Sequence, residues 1–148
     1  MKRKLFAAFT SLFLFTLSAF SQSGTMSVSP DVINLNATGN FEYVQCQYGW
    51  VIPSGYQITA HSVQMFMEGD FVTNSASITY CAIDNMLFVE FDRNEIQNSP
   101  VVQALANLGP IQVTIIGTFT VTNSLGASIV YPVDRTGTAS IIRPGKRK

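Results

Sequence analysis

The most regular stretch of the chain is "IQVTIIGTFTV", residues 111–121. Ile111, Val113, Ile115, Phe119 and Val121 fall on one side of an extended chain, and Gln112, Thr114, Thr118 and Thr120 on the other. A period of two residues with β-branched and aromatic side chains predicts a half-buried strand. Ile116 breaks the alternation, and Gly117 beside it marks a bulge or close packing. "FEYVQCQYGW" alternates Val44, Cys46, Tyr48 and Trp50 with Gln45, Gln47 and Gly49, and "MLFVEF" places Leu87, Val89 and Phe91 on one face. Shorter candidates are "DVINL", "SVQMFM", "SITYCAI", "ASIVY" and "TASIIR". The turn-forming runs "ATGN", "VIPSGY", "EGD", "IDN", "NLGP", "TNSLG" and "DRTG" separate them. Seven to nine short strands without helical alternation predict an all-β domain, an immunoglobulin-like two-sheet β-sandwich or a small barrel, and the sandwich is the primary reading. One short helix is expected in "RNEIQNSPVVQALANLG", with Ser99 as its cap, Pro100 at its first position and Gly109 beyond its end.

The first 21 residues follow another rule. Lys2, Arg3 and Lys4 precede an apolar run from Leu5 to Phe20, and Ala19 and Ser21 occupy the −3 and −1 positions of a cut before Gln22. That layout predicts a signal peptide over 1–21, a β-sandwich domain over 22–145 and a basic tail over 146–148. The apolar run is shorter than the roughly 20 residues of a spanning helix, which argues against a retained anchor and for a secreted or periplasmic product with no membrane span after cleavage. No cysteine lies near the cut, as a lipoprotein would need.

Cleavage would also change the charge. The chain has nine Lys plus Arg and nine Asp plus Glu, and three of the cations leave with the leader. No lysine occurs between Leu5 and Gly145, where only Arg93, Arg135 and Arg143 are cationic. Such a domain lacks the positive face that a phosphate backbone requires, so nucleic acid is excluded as a partner.

Few residues suggest chemistry. Glu90, Asp92, Arg93 and Glu95 crowd into six positions, but Glu90 and Asp92 lie on the face opposite Leu87, Val89 and Phe91. The expected role is a structural corner: Asp92 accepts local backbone N–H bonds, while Arg93 reaches Asp92, Glu95 or free carbonyl groups. His61 is the only histidine, no Gly-x-Ser-x-Gly motif occurs, and two cysteines with one histidine fall short of a closed zinc site. Cys46 and Cys81 are an even pair in an exported chain, which makes a disulfide the expected state over two buried thiols. Trp50 and Tyr56 are the candidate ligand aromatics, although both also suit packing roles. The functional expectation is a non-enzymatic structural or protein-interaction module without a cofactor, its partner a protein or cell-surface component. A carbohydrate-binding module is the alternative, and a hydrolase ranks third.

"SPDVINLNATGNFEYVQC", "VIPSGY", "LFVEFDRNEI" and "GPIQVTIIGTFT" resemble an all-β module of secreted bacterial and archaeal multidomain proteins. Its members read Pro-Asp-x-Leu-Asn-Leu, an aromatic strand, Leu-Pro-Glu-Gly-Tyr, an apolar run ending Phe-Asp-Arg, and Val-x-Leu-Thr-Val-x-Gly. The resemblance runs from about Val28 to Arg143 and implies an immunoglobulin-like accessory module without enzymatic activity. Relatives often carry an acidic Asp-Gly-Asp-Gly loop before the Phe-Asp-Arg strand. Here "CAIDNM" retains only Asp84 of it, so a carboxylate cation site is not implied. The module stands as a single copy, so a spacer role between domains does not transfer.

Overall fold

The computed structural model describes residues 26–29, 31–38, 41–47 and 51–145, of which 41–47 are described by their backbone alone. The expected leader, the proposed cut before Gln22, Trp50 and the tail 146–148 lie outside the described residues. Eight strands and two short helices follow in the order β1 (Met26–Ser29), β2 (Val32–Asn34), β3 (Phe41–Gln47), β4 (Tyr56–Met67), β5 (Asp70–Cys81), β6 (Met86–Asp92), α1 (Arg93–Asn98), α2 (Pro100–Leu105), β7 (Pro110–Asn123) and β8 (Ser128–Ile142).

The chain is all-β, and its strands form one mixed sheet in the order β1-β3-β6-β5-β4-β7-β8-β2. Only the β2–β8 pair is parallel. The sheet curls until β1 meets β8: a Cβ built on Gly137 would stand 3.1 Å from the Met26 carbonyl oxygen. The concave side holds the core. Leu87, Val89 and Phe91 of β6 face Val63, Met65 and Met67 of β4 and Ile111, Val113, Ile115, Phe119 and Val121 of β7 in one buried cluster.

Local chemistry explains the connections. Glu68 (φ 51) and Gly69 (φ 90) form the two-residue turn between β4 and β5, and both left-handed values match a turn whose twist follows that of the strands. The Glu68 N–H donates to the Gln112 carbonyl (3.0 Å) and its carboxylate accepts from the Gln112 N–H (2.6 Å), which fastens the turn to β7. Between β7 and β8, the Asn123 side chain accepts from the Leu125 and Ala127 N–H groups at 3.0 and 2.9 Å.

One expectation is extended and another corrected. The expected helix is α2, with Ser99 at its N-cap and Pro100 first, although Ser99 makes no side-chain cap bond; a second helix, α1, precedes it and is set apart by the extended Ser99 backbone (φ −63, ψ 128). Pro100 causes the break, because proline disfavours helical geometry in the residue before it. The "DRTG" run is no turn. β8 continues through Asp134, Arg135, Thr136 and Gly137, paired to β7 throughout. Arg135 turns its side chain to the concave side opposite Ile115, 8 % exposed, and donates to the Asp134 carbonyl at 2.7 Å. Thirteen consecutive pairings with β7 outweigh the local turn propensity of that run.

Candidate functional site

β4 and β5 pair only near their turn, Gln64–Met67 against Asp70–Asn74. Beyond it they part: β4 continues along β7, and β5 along β6. His61 Nδ1 and Ser75 Oγ, 2.9 Å apart, tie the strands together where they separate. Past that tie a cleft of about 290 Å³ opens, lined by Ile52, Tyr56, Gln57, Ile58, Ile78, Thr79 and Tyr80.

Two bulges create this lining. On the turn side of β4, the odd-numbered residues Val63, Met65 and Met67 face the core. The ladder to β7 slips between Ile58 and Ala60, making Thr59 an extra residue, so that even-numbered Ile58 now stands opposite buried Val121. In β5 the slip falls between Ser75 and Ser77, and Ile78 and Tyr80 come opposite the buried Val89 and Leu87. One inserted residue reverses which face every later side chain takes. Without the bulges at Thr59 and Ala76, the tyrosines and isoleucines of the cleft would point to the convex side.

Tyr131 of β8 stands behind the cleft, opposite Phe119, with the rings stacked at 5.2 Å and 26°. Burial raises the Tyr131 phenol above its ordinary range, and the neighbouring Tyr56 and Tyr80 raise it further, so it stays protonated and neutral. The Tyr80 hydroxyl donates to Asn85 Oδ1 at 2.8 Å, fixing its ring against the β5–β6 turn. A second cleft of about 280 Å³ also touches Gln57, but Thr59 and Thr122 place it on the convex side, the face opposite buried Val121. Gly55, Thr59, Thr122, Asn123 and Ser124 complete its walls. Hydroxyls line it in a chain: Thr59 Oγ1 to Thr122 Oγ1 and Thr122 Oγ1 to Ser128 Oγ, each 2.9 Å. Among the described residues, neither cleft has a charged side chain in its lining.

The strand register places the loops 51–55, 82–85 and 124–127 at this same end, since Cys81 pairs with Met86 and Tyr56 pairs with Asn123. Their apolar side chains are exposed: Val51 64 %, Ile83 94 % and Leu125 91 %.

The charged corner lies at the other end of β6, six strand steps and about 20 Å away. Asp92 is the N-cap of α1, its carboxylate accepting from the Asn94 N–H (2.7 Å) and the Glu95 N–H (3.4 Å). Arg93 donates to the Thr38 carbonyl at 3.3 Å, and Glu95 accepts from the buried Thr73 hydroxyl. Glu90, half-buried rather than fully solvated, accepts from Ser77. A residue the sequence did not single out, Gln97, donates to the Asn34 and Ala37 carbonyls at 3.0 Å each and joins α1 to the β2 loop. His61 is exposed and turned to Ser75.

The cysteine pairing is corrected by strand order. β6 lies between β3 and β5, with Cys46 opposite Leu87 and Cys81 opposite Met86. Two strand spacings separate the Cα atoms by about 10 Å, beyond the roughly 7 Å a disulfide spans. Cys81 is a free thiol whose Sγ lies 3.5 Å from Asp84 Oδ2. Of the candidate aromatics, Tyr56 lines the cleft. Tyr80, its counterpart, went unnoticed because its face depends on the bulge at Ala76. Among the described residues, no group of three or more His, Cys, Asp or Glu is arranged to hold a metal ion, and no helix is long and apolar enough to cross a membrane. No protein-family model matches the chain, and no curated protein matches it.

Proposed function

We propose that this chain is a secreted, non-enzymatic binding module in which the curled sheet serves as an immunoglobulin-like two-layer sandwich, and that its partner is a protein or other cell-surface component. The observation that carries the reading is the loop end. Scattered exposed apolar residues are ordinary on a protein surface, but Val51, Ile83 and Leu125 project from loops gathered at one end, the arrangement of an interaction surface. The resemblance to secreted accessory modules supports the same reading, and the leader-like N-terminus supports export.

The test uses purified mature chain, labelled and applied to envelopes of the cells that export it. The double variant Ile83→Ser/Leu125→Ser should bind at least tenfold more weakly with its melting temperature unchanged. Full binding by that variant would refute the loop-end reading. Intact mass of the exported protein should begin at or near Gln22.

A further inference from the structure

We infer that the tyrosine-lined cleft binds a neutral oligosaccharide, one sugar ring resting against Tyr56 and Tyr80 with Gln57 at its edge. This rests on the binding-module reading and names the chemistry of its partner.

Size is the first argument. A cavity of about 290 Å³ lies at the small end for ligand pockets, and suits one ring rather than a larger rigid ligand. The lining is the second. A pyranose ring presents an apolar C–H face and a rim of hydroxyls. Ile52, Ile58 and Ile78 with the two tyrosine rings offer apolar surface to the face, and phenol, amide and hydroxyl groups offer donors and acceptors to the rim.

Charge is the third argument. With no cation or carboxylate among the described residues that line the cleft, a phosphorylated or uronic ligand would lose hydration without a counter-charge. An extended peptide is disfavoured for another reason. It would have to add a strand to β4, whose regular extended backbone the Thr59 bulge interrupts. The bulges therefore act twice: they aim the tyrosines into the cleft and spoil β4 as a template for strand addition.

The experiment is calorimetric titration of the mature chain with cellohexaose, laminarihexaose, mannohexaose and chitohexaose. Hexagalacturonate serves as the charged control and a hydrophobic decapeptide as the strand control. At least one neutral sugar should bind with a Kd between roughly ten micromolar and one millimolar, the range expected of a small contact area. Gln57→Ala, at an exposed position, and Tyr56→Ala should each weaken it at least tenfold, with folding checked by melting. Ile83→Ser/Leu125→Ser should leave sugar affinity intact. Failure of every neutral sugar overturns the inference, as does equal binding of hexagalacturonate, displacement of the sugar by the peptide, or wild-type affinity in Gln57→Ala. If no sugar binds while the loop-tip variant still loses envelope binding, the saccharide inference falls and the module reading stands.

Discussion

Gly117 sits mid-strand in β7, paired with Val63 of β4 on one side and Val133 of β8 on the other. A Cβ at this position would lie 2.0 Å from the Ser62 carbonyl oxygen, 2.7 Å from the Val63 Cα and 2.8 Å from the Ser62 carbonyl carbon. The closest approach is about 1.4 Å short of the 3.4 Å at which ordinary contact begins, and all three obstructing atoms are backbone. A rotamer change cannot relieve the overlap, so Gly117→Ala must push β4 and β7 apart. Two or three ladder hydrogen bonds would stretch or break at about 1 kcal/mol each, and overpacking adds about 1–3 kcal/mol. The expected loss is about 3–6 kcal/mol, a large share of a stability that for a domain is typically about 5–15 kcal/mol. Urea unfolding followed by far-UV circular dichroism measures it, with wild type and Gly137→Ala run in parallel. At Gly137 the nearest atoms, Met26 Cε and O, are both 3.1 Å from the built Cβ, so a shift of a few tenths of an ångström suffices. The control should lose about 1 kcal/mol. A Gly117→Ala loss below 1 kcal/mol would refute the close approach of β4 and β7.

Asp92→Ala removes the α1 cap and should destabilise by about 1–2 kcal/mol, whereas Asp92→Asn, which can still accept, should lose far less; an equal loss in both would mean the cap geometry is irrelevant. Because the folded-state pKa of Tyr131 is raised, folding stability from this phenol is fully present below its unfolded pKa near 10 and is lost as pH rises through the folded value. Melting temperature should therefore fall above about pH 10, less steeply in Tyr131→Phe, and identical slopes would contradict the buried phenol. Thiol labelling of the exported protein, unfolded without reductant, should count two free cysteines, and a single blocked pair would contradict the β3-β6-β5 order.

The corner at Asp92 was legible because its chemistry is local: a short acceptor side chain at the end of an apolar strand caps whatever helix follows, wherever the strand packs. The alternation of β6 and β7 was legible for a similar reason. Leu87, Val89 and Phe91, and Ile111 through Val121, record which face is buried in the residues themselves. Gly117 announced either a bulge or close packing, and only the structure shows that it is packed against the Ser62 backbone. The cleft was not legible. In "SITYCAI" the face taken by Ile78 and Tyr80, against Cys81, turns on a single unpaired residue at Ala76, and a bulge is settled by the partner strand's register. The "DRTG" run and the Cys46–Cys81 pair failed through the same cause. One looked like a turn and the other like a bridge until β7 claimed the first and β6 came between the second. Periodicity and turn chemistry act over a few residues, so the sequence determined the strands and their buried faces; strand order and bulge position depend on partners dozens of residues away, and only the tertiary structure decided them.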